Sequence, residues 1–212
     1  MKKKMICVDL IETVVARNDN DFYSFIMQLF KDESISFDRI ASKTRQRYLE
    51  YSFGNYHNDH EYIENVLLSV GEMLPSNEMI QKAVDHCLDH YWAIDGSHSF
   101  LEELKNRGYM IFIASNFITS WAEVLLDKFE LNKHIDGIFI SSDIHFRKPA
   151  PEFFQYIVDK SKFKPEESIF IGNSYANDYM GAKKFGMEAY HLKKNNVSGK
   201  GLVYSQILEK II

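Results

Sequence analysis

Residues 5–13, MICVDLIET, decide how the rest of the chain is interpreted. Four apolar residues run directly into an aspartate, Asp9, which predicts a short buried strand that ends in a carboxylate. In open α/β sheets, ligands bind at the carboxyl ends of the strands. The stretch therefore predicts that Asp9 lies at the ligand-binding edge of a sheet, where groups from later strands can reach it.

The composition is typical of a globular protein, with 212 residues of which 45% are hydrophobic and 26% charged. The net charge of −5 and the lack of a basic stripe argue against nucleic acid or an anionic membrane as the partner. The apolar run after the N-terminal lysines is too short for a signal peptide or a membrane span, so we expect a cytoplasmic protein. Cys7 and Cys87 are expected to be buried thiols rather than a disulfide. The sequence does not distinguish a monomer from a homodimer.

The chain changes character twice. Residues 14–92 show apolar side chains at helical spacing and no clear strand, which predicts an inserted α-helical cap domain with helices at 21–31, 40–51, 59–70 and 79–92. Residues 93–212 alternate between helical and strand patterns, with strands expected at 109–114, 137–140, 168–171 and 188–192. Together with residues 1–13 they predict an α/β core, a doubly wound, Rossmann-like parallel sheet.

Polar residues follow the predicted strands where each strand ends. They are Asp9, Ser115, Asn116, Lys148, Asn173 and Asp178. In a parallel sheet these groups share one edge. An aspartate there can attack an electrophilic phosphorus or carbon atom and form a covalent ester. A lysine and a divalent cation can offset the negative charge, and oxygen ligands of this kind suit Mg²⁺.

Four motifs carry a resemblance to a known family. They are DLIET from Asp9, IFIASN ending at Asn116, KPAPEFF from Lys148 and GNSYAND ending at Asp178. In this order they resemble the motifs of the haloacid dehalogenase superfamily, with a helical cap inserted after the first motif. The resemblance covers nearly the whole chain.

The resemblance implies roles for individual residues. Asp9 would be the nucleophile, Ser115 and Asn116 would bind the transferred group, and Lys148 would stabilise negative charge. A weakly held Mg²⁺ would have as ligands Asp9, Asp178, Asn173 and the backbone carbonyl of Ile11. Basic and aromatic residues of the cap are predicted to close over the site and select a small-molecule substrate, namely Arg45, Arg47 and Tyr56.

The sequence departs from the pattern of the family's phosphatases at two positions. Ile11 stands where those enzymes have a second aspartate, which protonates the leaving group and then activates water. An alkyl group cannot transfer protons, and losing general acid–base catalysis costs about 10²–10⁴-fold in rate. Glu12 is adjacent, but its side chain is expected to point elsewhere. Asn173 replaces an aspartate that ligates the metal, so the affinity for Mg²⁺ should be reduced.

Three functional hypotheses follow. The favoured one is a hydrolase that acts on a small phosphorylated metabolite through a covalent aspartyl intermediate. The second is a metal-independent 2-haloacid dehalogenase, although such enzymes carry tyrosine, tyrosine and asparagine where this chain has Ile11, Phe154 and Tyr175. The third is a binding or regulatory protein that has lost catalysis. A phosphonate hydrolase is a related option that requires a lysine in the cap.

Overall fold

The structure is a computed structural model, and it describes residues 4–30, 35–193 and 203–211. The chain divides into two compact units, one formed by Met1–Ala16 with Trp92–Ile212 and the other by Arg17–Tyr91. The first unit is an α/β unit and the second is helical. The function of the helical unit as a cap stays a prediction.

Strands and helices alternate along the α/β unit, whereas the first four helices given below belong to the helical unit. The strands are β1 (Met5–Val8), β2 (Val15–Arg17), β3 (Tyr91–Ala93), β4 (Met110–Ser115), β5 (Gly137–Ile140), β6 (Ser168–Gly172) and β7 (Glu188–His191). The α-helices are α1 (Asp19–Phe30), α2 (Phe37–Ser52), α3 (Asp59–Gly71), α4 (Asn77–His86), α5 (Ser97–Asn106), α6 (Thr119–Lys128), α7 (Ser141–Ile144), α8 (Pro151–Ser161), α9 (Gly181–Phe185) and α10 (Tyr204–Lys210). Short 3₁₀ turns occupy Asn132–His134 and Pro165–Glu167.

The main sheet has five parallel strands in the order β5-β4-β1-β6-β7. Strand β1 is central, and Cys7 is paired with Phe112 on one side and with Phe170 on the other. All residues of β1 are fully buried, which explains why they form a continuous apolar run without alternation. The predicted doubly wound parallel sheet is therefore confirmed.

An aromatic cluster on one face of the sheet fixes helix α8. Phe153 and Phe154 from α8 are fully buried, and the Phe154 ring lies 5.7 Å from that of Phe170 in β6. Pro151 begins the helix, where its missing N–H costs no helical hydrogen bond. The loop that precedes α8, and Lys148 in it, is thereby held against the end of the sheet.

The helical unit has well-defined helix starts. The side chains of Ser36, Asn58 and Ser76 each accept a hydrogen bond from a backbone N–H three residues later, which caps α2, α3 and α4. Helix α3 buries the face that its apolar spacing predicted: Tyr62, Ile63, Val66, Leu67 and Val70. No helix within the described ranges is long and apolar enough to cross a membrane.

Two details of the predicted elements are wrong. The helix expected at 79–92 ends at His86, and Tyr91–Ala93 is a strand that pairs with Val15–Arg17. The aromatic residues here favour a strand, but three residues are too few to show an alternating pattern. The pattern at 178–185 predicts an α-helix, whereas the helical segment begins earlier, as a π-helical turn at Tyr175–Met180 that continues into α9. Such π-turns are frequent at functional sites.

Candidate active site

The carboxyl ends of β1, β4 and β6 bring the predicted polar residues to one edge of the sheet. Val8, the last residue of β1, is in register with Ile113 of β4 and Ile171 of β6. Asp9 follows β1 directly, and its backbone N–H donates to the Ile171 carbonyl at 2.8 Å. Because the strands are parallel, Ser115 and the residues after Gly172 lie beside Asp9.

The two carboxylate oxygens of Asp9 have different partners. Oδ1 accepts hydrogen bonds from Ser115 Oγ at 2.9 Å and from Lys148 Nζ at 2.8 Å. Oδ2 accepts only a longer bond among those resolved in the described residues, from Thr13 Oγ1 at 3.3 Å. Charge-assisted bonds are the stronger kind, so Oδ1 is firmly held and Oδ2 is the oxygen better placed to react.

The Lys148 ammonium joins two carboxylates. Besides Asp9, Nζ contacts Asp178 Oδ1 at 2.7 Å and donates to the Ala114 carbonyl at 2.8 Å. Burial opposes the charge on this side chain, but the two carboxylates, first Asp178 and then Asp9, outweigh burial and raise the pKa of Lys148 above its ordinary value. Lys148 is therefore an ammonium ion at neutral pH.

The Asp178 carboxylate is packed closely against the backbone at the end of β6. Its Oδ2 accepts the Ser174 backbone N–H at 2.8 Å, and a Cβ atom added at Gly172 would lie 2.3 Å from the same oxygen. Only glycine leaves room for the carboxylate here. Burial raises the pKa of Asp178 by desolvating its carboxylate. The nearby negative charge of Asp9 also raises it, and the Lys148 ammonium opposes both effects.

Asn116 holds the Lys148 loop. Its Nδ2 donates to the Lys148 carbonyl at 2.9 Å, and its Oδ1 accepts the Lys148 backbone N–H at 2.8 Å. The sequence predicted a substrate contact for Asn116, whereas these bonds orient the lysine backbone. A role in binding the transferred group stays a prediction for both Asn116 and Ser115.

The donor set fits a hard divalent cation. Asp9 and Asp178 supply carboxylate oxygens, and Asn173 supplies an amide oxygen that accepts from Thr13 Oγ1 at 3.4 Å. One lysine against two buried carboxylates leaves negative charge that a cation would offset. In the residues that the structure describes, no group of three or more His, Cys, Asp or Glu side chains is arranged for a metal. Mg²⁺ would therefore depend on amide and backbone oxygens as well, which is consistent with weak binding.

The loop after Asp9 contains the residue that departs from the family pattern. Ile11 is half-buried and forms an isolated bridge with Val15. Glu12 has a φ of 60°, a left-handed conformation that is uncommon outside glycine and turns the chain sharply. The side chain at position 11 is an alkyl group, so it cannot transfer a proton to a leaving group.

The predicted cap residues lie in the helical unit and form two separate groups. Arg47 Nη1 contacts both carboxylate oxygens of Glu50 at 3.1 and 2.9 Å, and the Tyr56 hydroxyl donates to Glu50 Oε2 at 2.5 Å. The Arg45 guanidinium interacts with the Tyr23 hydroxyl instead. Substrate binding by Arg45, Arg47 and Tyr56 stays a prediction.

Several groups at the site were not predicted from the sequence. Thr13 lies within the first motif, and its spacing from Asp9 was a signal that it touches the carboxylate. The Ala114 carbonyl and the Ser174 N–H are backbone groups, for which a sequence gives no signal. His191 at the end of β7 was also missed, and its Nε2 lies 2.9 Å from the Asn173 carbonyl oxygen.

Comparisons with known proteins agree on the family. The family model described as haloacid dehalogenase-like hydrolase matches residues 18–191, which begin after the Asp9 motif. Over 121 residues the chain is 30% identical to glyceraldehyde 3-phosphate phosphatase from Pyrococcus furiosus, covering 56% of this chain and 50% of that protein. The chain therefore spans about half the length of this curated relative.

Two further relatives cover more of the chain. It is 25% identical over 181 residues to (S)-2-haloacid dehalogenase 4A from Burkholderia cepacia, covering 82% of this chain and 78% of that protein. A HAD family enzyme from Bacteroides thetaiotaomicron, solved in complex with magnesium and inorganic phosphate, superposes with a TM-score of 0.74 at 18% identity. That match covers 92% of this chain and 96% of the other, and it shows the shared fold.

Proposed function

The chain belongs to the haloacid dehalogenase-like hydrolase family, and we propose that it hydrolyses a small phosphorylated metabolite through a covalent intermediate on Asp9. One observation carries the proposal. The Asp9 carboxylate lies at a strand end with Oδ1 held by the Ser115 hydroxyl and the Lys148 ammonium, which leaves Oδ2 with the weaker contact. A carboxylate held in this way is oriented for nucleophilic attack.

The reaction balances in two steps. Oδ2 of Asp9 attacks phosphorus, the bond from phosphorus to the leaving oxygen breaks, and an aspartyl phosphate forms. Water then attacks the phosphorus, which releases inorganic phosphate and restores the carboxylate. Throughout, Lys148 and Ser115 stabilise the negative charge at Asp9 and on the transferred group.

The lack of a proton donor at Ile11 limits which phosphate esters can be substrates. Ile11 cannot protonate a leaving group, so phosphates with leaving groups that depart as stable anions are favoured over alkyl phosphates. When bound, Mg²⁺ would offset the charge of the phosphate, held by Asp9, Asp178, Asn173 and the Ile11 carbonyl. Arg45, Arg47 and Tyr56 of the helical unit would select the rest of the small molecule. The cytoplasmic location remains a prediction from sequence.

A matched pair of variants tests the proposal. Asp9→Asn removes the nucleophile, whereas Asp159→Asn alters an exposed aspartate of α8 that accepts from Gln155. The assays use p-nitrophenyl phosphate and a panel of sugar phosphates, each with Mg²⁺ or with EDTA. We expect wild type and D159N to turn over p-nitrophenyl phosphate faster than the sugar phosphates, and D9N to turn over neither. A well-folded wild type that hydrolyses nothing would instead favour a binding or regulatory protein.

A second candidate is hydrolysis of 2-haloacids without metal. The observation in its favour is that Lys148 itself joins Asp9 and Asp178, at 2.8 and 2.7 Å. Attack by Asp9 on the halogen-bearing carbon would form an ester and release a halide, which needs no proton and so no acid at Ile11. Water would then hydrolyse the ester, which releases the 2-hydroxy acid and restores the Asp9 carboxylate. Release of chloride from 2-chloropropionate in the presence of EDTA, with no phosphatase activity, would establish this alternative.

A further inference from the structure

We infer that Tyr204, in the C-terminal helix α10, is a positioning residue for the loop that carries the nucleophile. The inference rests on the proposed function, because it takes Asp9 as the group that reacts. Tyr204 lies 191 residues from Thr13 in the sequence, yet its hydroxyl donates a hydrogen bond to the Thr13 carbonyl.

Thr13 connects this contact to the site. Thr13 is fully buried, and its hydroxyl lies 3.3 Å from Asp9 Oδ2 and 3.4 Å from Asn173 Oδ1. The side chain of Thr13 therefore touches the oxygen assigned to attack, and its backbone is held by Tyr204. A shift of this one residue would move a partner of the nucleophile.

The Glu12 N–H donates to the Val15 carbonyl at 2.7 Å, but the other N–H groups of the loop converge on one carbonyl. The backbone N–H groups of Thr13, Val14 and Val15 all point to the Leu10 carbonyl, at 3.4, 3.0 and 3.0 Å. One carbonyl oxygen has two lone pairs, so three donors cannot all form full hydrogen bonds with it. The hydroxyl of Tyr204 holds the loop from outside, at a carbonyl that the internal bonds leave available.

Tyr204 is in turn fixed on the α/β unit. Its ring stacks on Phe100 of α5, with ring centroids 4.4 Å apart and 15° between the planes. Arg107 Nη1 donates to the carbonyls of Leu208 and Ile211 at 2.6 and 2.9 Å, which fastens the end of α10 to the end of α5. Burial raises the pKa of the Tyr204 phenol, so the hydroxyl keeps its proton and remains a donor.

The variant Tyr204→Phe tests the hydroxyl alone, since it keeps the ring that stacks on Phe100. For p-nitrophenyl phosphate with Mg²⁺, we expect kcat to fall about tenfold with KM unchanged, because misplacing a reacting group by a fraction of an ångström lowers the rate of the chemical step. Amide hydrogen exchange should become faster at Thr13, Val14 and Val15 and stay unchanged in β1.

Two control variants separate positioning from docking of the helix. Tyr190→Phe removes a hydroxyl that contacts Glu188 and, at 3.4 Å, the Lys210 carbonyl of the same helix. We expect it to behave as wild type. Phe100→Leu weakens the ring stack but keeps the Tyr204 hydroxyl, so it should retain more of kcat than Y204F does.

The outcomes separate this inference from the proposed function. A wild type that turns over no substrate contradicts the proposed function and, with it, any catalytic benefit from Tyr204. Unchanged exchange of the loop amides in Y204F overturns the inference whether or not the protein is active. An equal loss of kcat in Y204F and F100L overturns it too, because docking of α10 would then account for the effect.

Discussion

The buried charges of Asp9, Lys148 and Asp178 make the stability of the site depend on single residues. Each carboxylate is within 2.8 Å of the same ammonium, and all three side chains are nearly inaccessible to solvent. The mutual attraction of such charges offsets their desolvation only while all of them are present. The proposed function uses the same three groups, so we expect a loss of these contacts to affect both folding and catalysis.

Lys148→Met should destabilise the protein by about 3–5 kcal/mol at pH 7 and abolish turnover, because it leaves the two carboxylates without the ammonium that joins them. In the variant, burial still raises the pKa of Asp178, and the ammonium that opposed this effect is gone. Its free energy of unfolding should therefore rise as the pH falls and Asp178 becomes protonated. Urea denaturation at a series of pH values between 5 and 8 measures this dependence.

The control for this prediction is Lys183→Met. Lys183 contacts only the ring and hydroxyl of Tyr179 among the contacts described, with Nζ 3.1 Å from the hydroxyl. Its loss should change the free energy of unfolding by about 0.5 kcal/mol or less. A K148M protein as stable as K183M at pH 7 would contradict the account of the buried charges.

Under the proposed function, we expect Ile11 to set the preference for leaving groups. Ile11→Asp introduces a carboxyl group where the family's phosphatases have one, and we expect it to raise kcat for alkyl phosphates by about 10²-fold or more. The rate with p-nitrophenyl phosphate should gain less, because that leaving group departs without a proton. Steady-state kinetics with p-nitrophenyl phosphate and glycerol phosphate give the ratio. An unchanged ratio in I11D, or a selective loss of alkyl phosphate hydrolysis in Glu12→Gln, would show that another group handles the proton.

At the level of elements, the turn from β6 into α9 gives the site its shape. Gly172 ends the strand, and Ser174 begins the π-helical turn that brings Asp178 back towards β1. The Ser174 side chain caps this turn by accepting the Asn177 N–H at 3.2 Å. The strand end and the turn together place the second carboxylate beside Lys148.

Gly172→Ala should displace Asp178, because the added methyl group would meet its carboxylate at 2.3 Å. We expect a loss of stability of about 1–3 kcal/mol together with a large loss of kcat. Gly108→Ala is the control. Gly108 has a φ of +84° and open space around its Cβ position, so this variant has backbone strain of about 1 kcal/mol but an intact site. If G172A kept the kcat of G108A, the close approach of Asp178 would not matter for activity.

The burial of Cys7 in strand β1 and of Cys87 at the end of α4 predicts that both thiols react slowly. Burial raises the pKa of Cys7 to about 12, and that of Cys87 to about 12 as well. A raised pKa means that the thiol, not the reactive thiolate, predominates at pH 8. Ellman's reagent should therefore find no rapidly reacting thiol in the native protein and two after unfolding in urea. A fast reaction of either thiol in the native state would contradict the burial of that element.

For the molecule as a whole, the strands of the sheet could be predicted from the sequence more accurately than the side-chain contacts between distant residues. The strand Gly137–Ile140 has the predicted bounds, because its short apolar run ends at a polar residue, although it is a half-buried strand at the edge of the sheet. The gathering of Asp9, Ser115 and Lys148 followed from the rule that parallel strands share one carboxyl edge. Such regularities depend on local pattern and topology, which a single sequence contains.

Short strands and long-range side-chain contacts could not be predicted, because they leave no local pattern in the sequence. The paired strands Val15–Arg17 and Tyr91–Ala93 are too short to show alternation. The amide of Asn116 could bind a substrate or a backbone equally well, and only the fold shows that it holds Lys148. The contact between Tyr204 and Thr13 depends on how α10 docks on α5, which no spacing in the sequence encodes.

The central claim is that Asp9 becomes phosphorylated during turnover, and trapping tests it most directly. The wild type is mixed with p-nitrophenyl phosphate and Mg²⁺, quenched in acid within the first turnover and digested for mass spectrometry, with D9N treated in the same way. The account predicts one added phosphoryl group on the peptide that contains Asp9, and none in D9N. Turnover by the wild type with no phosphoryl group on that peptide, or with the group on another residue, would contradict it.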